Sequence, residues 1–346
     1  MVLFRRATLA MAMGVWLERA KVQGFSPKTI KNTETSFKML AQFIPETTRI
    51  ERLSVSQYEQ MVLKMRESGY APETIYGLNT TLRKLLNLAY RRGLVRYSLA
   101  ARLEGPKFSL GASARVVKHE DFLRIMRWFE EHEYWRGGVE LYRKSRFLFM
   151  LLYNTGVRIG EALALGSENF KKVNEDIWRV RVDKSYLSDF GVIKETKNGK
   201  IREIPILTTD FREFLDEIHA FRARKQSAQM DRGDTPVRIF DVSPQAVRQV
   251  FGRVCDELGL PRYRLHEFRH TYISRLIAGG VSLPVVAEVS GDTQATVLKR
   301  YSHVLGHNDA LILAACASDH AAQPEGYPAQ ERLRRLRCEH HELPNK

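Results

Sequence analysis

The sequence has little cysteine and no long apolar run. Its three cysteines, Cys255, Cys316 and Cys338, lie far apart and form no CxxC pair. This usage suits a reducing compartment and argues against a disulfide framework or a zinc site, so we predict no metal ligands. No stretch approaches the ~20 apolar residues of a membrane-spanning helix. We therefore expect a cytoplasmic protein with no membrane partner.

The sequence also has fewer acidic than basic residues. Lysine and arginine total 55 against 40 aspartates and glutamates, which gives a formal net charge of +15. An apolar share of 44% is that of an ordinary globular protein. The positive charge is spread along the chain and does not flank an apolar anchor, so it favours nucleic acid over a membrane surface. A basic surface with no polyanionic partner is the plainer alternative.

The first hundred residues predict a bundle of four helices. Ser26 followed by Pro27, and Ser54 followed by Gln57, are typical helix starts. A chain of 346 residues is long enough for two domains. We assign residues 1–102, which carry the helical pattern, to the first. The periodicity then breaks over residues 103–114, which predicts a linker.

The second predicted domain covers residues 115–322 and is mainly helical with a small antiparallel sheet. Short extended runs between Glu168 and Pro205 indicate the sheet, and Asn198-Gly199 is a turn signal beside its last strand. Residues 323–346 are expected to form a flexible basic tail. The fold class is therefore mainly α with a small antiparallel β-sheet.

A tyrosine and several cations could carry phosphodiester chemistry. The Tyr301 phenol is a candidate nucleophile, but with a free pKa of about 10 it needs a base and a cationic pocket. Arg158 and Arg269 can each donate paired hydrogen bonds to phosphate oxygens. His266 lies three residues before Arg269, so on a helix the two side chains face the same way.

Two further residues could support that chemistry. Lys197, beside the Asn198-Gly199 turn, could carry a transferable proton, and Glu161, three residues beyond Arg158, could orient its guanidinium. Each of these residues also has a plainer explanation. Arg-x-x-Glu on a helix is usually a surface ion pair, a lysine beside Asn-Gly is generally solvated, and Tyr301 could lie at the edge of a core.

Taken together, these segments resemble the tyrosine recombinase family of the phage-integrase type. The Thr-Gly-x-Arg-x-x-Glu pattern occurs at Thr155 to Glu161, and the lysine before a Lys/Arg-x-x-Pro strand occurs in Lys197 to Pro205. The block Leu-His-x-x-Arg-His-Thr spans Leu265 to Thr271. Gly291 precedes by ten residues the tyrosine of an Arg-Tyr-x-His segment, Arg300 to His303. The N-terminal helix starts also look like those of the family's core-binding domain.

The resemblance implies a site-specific recombinase, of the kind carried by mobile elements, that cuts and rejoins DNA. A tyrosine attacks the phosphate and leaves a 3′-phosphotyrosyl link, without metal, ATP or another cofactor. The implied catalytic residues are Arg158, Lys197, His266, Arg269, Asp292 and Tyr301, supported by Glu161 and His303. We also predict contacts with double-stranded DNA from Lys28, Lys107, Arg115 and Arg264, with a simple exposed tether as the equal alternative for Lys107 and Arg115. The resemblance implies a homotetramer on DNA, formed as two dimers across two sites. It is also compatible with accessory proteins. The segment 309–317 would pack on its own subunit or on a neighbour.

Asp292 departs from the family pattern, which has histidine or sometimes tryptophan after the turn glycine. An ionised carboxylate there would repel a phosphate, whereas histidine donates a hydrogen bond. Three outcomes are open: Asp292 is protonated, it turns away and Thr293 or another donor replaces it, or catalysis is impaired. Two alternatives to a working recombinase therefore remain. They are an impaired DNA-binding relative and a DNA-relaxing enzyme like the type IB topoisomerases.

Overall fold

The computed structural model describes residues 7–105, 115–132, 139–196, 199–229 and 238–301. Lys107, Lys197, His303, the segment 309–317 and the tail 323–346 lie outside these ranges, as does most of the predicted linker. The chain divides into two compact units. One comprises Met1–Ala112 together with Ser185–Lys194, and the other comprises Ser113–Lys184 together with Glu195–Lys346. The predicted domain limits stay a prediction.

The four helices predicted in the first unit are present, and local side chains explain where they begin. They are α1 (Leu9–Val22), α2 (Pro27–Ala41), α3 (Val55–Glu67) and α4 (Pro72–Arg91), with 3-10 turns at Ile50–Arg52 and Leu99–Arg102. The amide of Thr29 donates to the Ser26 hydroxyl at 3.2 Å. The amide of Gln57 donates to the Ser54 hydroxyl at 3.2 Å, and the Ser54 amide donates back to the Gln57 side chain at 3.1 Å. These bonds satisfy amides that have no partner within their helix.

Helix α4 supplies the centre of the first core. Its inward residues recur with helical periodicity, and all are buried: Ile75, Leu78, Leu82, Leu85, Leu86 and Ala89. They pack against α1, α2 and α3. Burial of this apolar stripe is the main source of stability for α4, because a helix of this kind is only weakly stable in isolation.

The second unit is mainly helical around a small sheet, which confirms the predicted fold class. Its helices are α5 (His119–Glu131), α6 (Val139–Thr155), α7 (Ile159–Ala162), α8 (Thr208–Gln229), α9 (Pro244–Glu257), α10 (Leu265–Ala278), α11 (Leu283–Ser290) and α12 (Gln294–Tyr301), with a 3-10 turn at Ser167–Asn169. Its strands are β1 (Phe170–Lys172), β2 (Ile177–Val182) and β5 (Arg202–Leu207). The strands β3 (Lys184–Leu187) and β4 (Val192–Glu195) pair as a hairpin, most of which belongs to the first unit.

The three-stranded sheet has the order β1-β2-β5 and is antiparallel throughout. Val180 of β2 lies opposite both Phe170 of β1 and Ile204 of β5. On β5 the buried positions alternate and are Arg202, Ile204 and Ile206. A charged residue therefore occupies one of the inward positions of this strand.

Helices α6 and α10 pack against each other in the core of the second unit, with α5, α9 and β5 also against α6. The ring centroids of Phe149 and Phe268 lie 5.6 Å apart across this contact. Consequently the loop that follows α6 lies beside the first turns of α10. Within the described ranges, no helix is both long and apolar enough to cross a membrane.

Candidate active site

Arg158 lies just after α6, where the chain turns into the short helix α7. The turn is made at Gly156, whose φ is +62°, and a side chain there would place its Cβ 2.4 Å from the Tyr272 ring. Glu161 accepts a hydrogen bond from the Arg158 amide at 2.8 Å and another from its guanidinium at 2.9 Å. Glu161 therefore both caps α7 and orients Arg158, as the i,i+3 spacing indicated.

The sequence did not indicate that Arg202 would be the second partner of Glu161. The Arg202 guanidinium donates to Glu161 at 2.6 Å, and both side chains are only 3% exposed. Arg202 also donates to the Val289 carbonyl at 2.9 Å and so ties β5 and α7 to α11. Burial alone would raise the pKa of Glu161, but hydrogen bonds and charge from Arg202, and then Arg158, hold it below its usual value. The available signal was a cation at an inward position of an alternating strand.

Arg269, on α10, is buried and is held by backbone carbonyls from two directions. Its guanidinium donates to the carbonyl of Gly156 at 2.8 Å and to that of Ser290 at 2.6 Å. Only 2% of its side chain is exposed. These bonds fix the guanidinium between the loop after α6 and the end of α11.

Asp292 joins the two predicted phosphate-binding arginines. Its Oδ1 accepts from Arg158 at 2.6 Å and its Oδ2 accepts from Arg269 at 2.7 Å. Burial would raise the pKa of Asp292, but the charge and hydrogen bond of Arg269, followed by the charge of Arg158, lower it below 3.8. The carboxyl is therefore ionised at neutral pH.

The carboxylate of Asp292 thus faces the two arginines in this structure, and the three outcomes considered for its part in catalysis stay predictions. The Thr293 hydroxyl accepts from the Thr296 amide at 3.2 Å in the first turn of α12. The carboxylate, which would repel an incoming anion, is itself attracted by the two arginines.

Tyr301 ends α12 and is 1% exposed. It packs among apolar residues of α10, α11 and α12, including Ile273, Val286 and Val297. Its hydroxyl lies 2.5 Å from Nδ1 of His270. Burial raises the pKa of Tyr301 to about 12, against the opposing charge of Arg269. In this arrangement the phenol is neutral at physiological pH and is held by an imidazole.

His266 and His270 lie one turn apart on α10, with ring centroids 4.7 Å apart and the rings nearly perpendicular. Partial removal from water, together with the charges of His270 and Arg269, lowers the pKa of His266 to about 4. Removal from water and the charge of Arg300 lower the pKa of His270 to about 4. Both imidazoles are therefore neutral at physiological pH and able to accept a proton. His270 was missed as a site residue, although its i+4 spacing from His266 was a usable signal.

Two of the residues predicted to contact DNA, Arg115 and Arg264, pair with one carboxylate on α10. Arg115 and Arg264 both donate to the buried carboxylate of Glu267, at 3.1 and 3.2 Å. The Arg115 guanidinium also lies 5.1 Å from the centre of the Tyr263 ring. Lys28 is exposed in the first turn of α2, in the other unit. Among the described residues, no group of His, Cys, Asp and Glu side chains could hold a metal ion.

Comparison with known proteins identifies the family. The model of the phage integrase family matches residues 115–307, which is more than half of the chain. The chain therefore belongs to the phage integrase family.

Named relatives and solved structures agree with this assignment. A tyrosine recombinase XerC of Roseiflexus sp. (strain RS-1) is 22% identical over 292 residues, which cover 82% of this chain and 86% of that protein. A shufflon-specific DNA recombinase of Escherichia coli is 27% identical over 225 residues, 64% of this chain and 49% of that protein.

Two solved structures share the fold. A Tn1549 transposon integrase in complex with a circular intermediate DNA superposes with a TM-score of 0.65 at 16% identity, covering 91% of this chain and 99% of that one. A lambda integrase tetramer bound to a Holliday junction gives a TM-score of 0.58 at 15% identity, covering 83% and 78%. The protein is a tyrosine-type site-specific DNA recombinase. Neither the impaired DNA-binding relative nor the relaxing enzyme is favoured by these comparisons.

Proposed function

We propose that this recombinase cuts DNA by attack of the Tyr301 phenol on a phosphodiester held by Arg158 and Arg269. The observation that carries the proposal is the convergence of these two guanidiniums on the two oxygens of one carboxylate, at 2.6 and 2.7 Å. An arrangement that binds two oxygens of one anion from two sides suits the non-bridging oxygens of a phosphate. The buried partners Glu161 and Arg202 hold this arrangement in place.

The proposed step balances without an external cofactor. The Tyr301 oxygen forms a bond to phosphorus while the bond from phosphorus to the 5′-oxygen breaks. The phenolic proton passes to a neutral imidazole, and the 5′-oxygen takes a proton from Lys197. The product is a 3′-phosphotyrosyl link with a free 5′-hydroxyl, and a partner strand's 5′-hydroxyl reverses the step. The two arginines compensate the charge that develops on the phosphate.

We assign the role of proton acceptor to His266 in the DNA complex. The proposal rests on its position one turn before Arg269 and on its pKa of about 4. In the free protein the phenol instead contacts His270, so attack requires Tyr301 to leave that contact. The burial of the phenol and its raised pKa also support a resting state that DNA must rearrange.

The proposed partner is double-stranded DNA, and the proposed assembly is a homotetramer formed as two dimers across two sites. The positive charge of the chain supports the first point. The solved relatives support both points, since a lambda integrase dimer is described on a core site and a tetramer on a Holliday junction. The Tn1549 relative supports a role in a mobile element. A nucleoid-associated, cytoplasmic location is part of this proposal because the substrate is DNA.

Covalent trapping tests the proposal. The protein is expressed in cells, DNA covalently attached to it is recovered under denaturing conditions, and the attached DNA is sequenced to define the site. A nicked suicide duplex of that site is then incubated with the wild type and with Y301F. We expect a covalent adduct for the wild type, with a 3′-phosphate linked to residue 301, and none for the variant. Folded wild-type protein that binds the site but forms no adduct would refute the proposal, as would an adduct that persists in Y301F.

A further inference from the structure

The carboxylate of Asp292 presents to the arginines what a phosphate would present. It offers two oxygens on one central atom, and each oxygen receives one short hydrogen bond from a different guanidinium. Arg158 comes from the loop after α6 and Arg269 comes from α10, 111 residues apart by their numbers, so the contact is purely tertiary.

The two arginines need an anion between them. Arg269 is almost completely buried, and burial together with the like charge of Arg158 lowers its pKa, while the charge of Asp292 opposes that effect. Glu161 already accepts from Arg202 as well as from Arg158. Among the described residues, Asp292 is the acidic residue that pairs with Arg269.

The surroundings of Asp292 allow its carboxylate to be exchanged. The residue follows Gly291, which ends α11 in the left-handed region at φ +68°. The Asp292 amide is bonded to the Ala287 carbonyl at 3.2 Å, so rotation of its side chain breaks no backbone hydrogen bond of that turn. The side chain remains 14% exposed and so is not enclosed on every side.

We propose that Asp292 is an internal substitute for the scissile phosphate. In the free protein its carboxylate occupies the anion site formed by Arg158 and Arg269, and bound DNA exchanges its phosphate for that carboxylate. This inference rests on the proposed function, since it takes the two arginines as phosphate ligands. It assigns to Asp292 a competing role, in place of the hydrogen-bond donation expected of a histidine.

Removing the carboxylate should open the site to a free anion. In Asp292→Asn the side chain keeps its shape but loses its charge. Its carbonyl oxygen can still accept from one guanidinium, whereas its NH2 group can only donate. Arg269 then loses its ion pair, while Arg158 keeps its pair with Glu161 at 2.9 Å. The variant should therefore melt at a lower temperature than the wild type. Inorganic phosphate should fill the vacated site and raise the melting temperature again, because a ligand that binds only the folded state stabilises it.

The experiment measures thermal unfolding of the full chain against inorganic phosphate, with ionic strength held constant by chloride. The matched control is Asp256→Asn, which also removes one negative charge from an arginine partner, since Asp256 pairs with Arg262 at an exposed site. We expect D292N to bind phosphate at least about tenfold more tightly than the wild type or D256N, read from the ligand-induced shift. D292S serves as a second variant of smaller size.

Equal phosphate affinity in D292N, D292S and the wild type would overturn the proposal. Loss of folding in both variants, with D256N folded, would also overturn it, because an exchangeable carboxylate implies a site that persists without it. These measurements contain no DNA, so they are independent of adduct formation. Tight phosphate binding by D292N together with no adduct in the trapping experiment would reject the Tyr301 mechanism and leave this inference intact.

Discussion

Replacing Arg202 by methionine should destabilise the second unit more than any change to an exposed ion pair. Arg202 and Glu161 are both 3% exposed and 2.6 Å apart, so Arg202→Met leaves a buried carboxylate with Arg158 as its remaining cationic partner. Breaking a buried pair from one side costs about 3–5 kcal/mol. That total cost includes the loss of the hydrogen bond from Arg202 to the Val289 carbonyl. For a unit of this size, a loss of about 3–5 kcal/mol lowers the melting temperature by about 6–20 °C.

The sheet itself provides a matched control. Arg179 of β2 pairs with Glu203 of β5 at 3.3 Å, and the two side chains are 53% and 43% exposed. Arg179→Met should therefore change the free energy of unfolding by no more than about 1 kcal/mol. Both variants are compared with the wild type by thermal unfolding followed by circular dichroism. Adding Glu161→Gln to R202M should restore part of the loss, because it removes the stranded charge. Equal shifts for R202M and R179M would refute this reasoning.

Two further predictions concern the histidines. His266→Gln should slow formation of the covalent adduct by on the order of 100-fold, since general base catalysis contributes about that much. His270→Gln should slow adduct formation less. Single-turnover assays compare the two rates, and the reverse order would assign the base to His270. His270 has its pKa lowered from 6.5 to about 4, so the unfolded state binds more protons and stability should fall as pH drops from about 6.5 to about 4. Melting temperatures across this range should decline less steeply in His270→Gln, and an unchanged pH dependence would contradict the lowered pKa.

Local signals in the sequence were enough to predict much of the first unit. The starts of α2 and α3 follow from Ser26, and from Ser54 with Gln57, because a helix cap involves residues only three apart. The inward stripe of α4 follows from the 3.6-residue period. In the second unit, the position of the sheet was also predictable from the short extended runs between Glu168 and Pro205. The order of the motifs was sufficient to identify the family.

The site itself was predicted as a set of residue types, but its connections were not. The i,i+3 pair of Arg158 and Glu161 was expected because both residues lie on one short segment. The burial of Arg202 beside Glu161 depends on where β5 lies relative to α7, which no local pattern encodes. For the same reason the hydrogen bond between His270 and Tyr301 could not be predicted, since 31 positions separate the two residues.

The sequence by itself determined the set of reactive groups: two arginines, a lysine, a histidine and a tyrosine in family order, with an aspartate where a histidine is usual. What only the tertiary structure decided is the state of that aspartate. Charge interactions depend on distance and on burial, and both were set by the packing of α6, α10 and α11. That packing brings Arg158 and Arg269 within hydrogen-bonding distance of one carboxylate, and so turns an expected source of repulsion into the anion that the two guanidiniums bind.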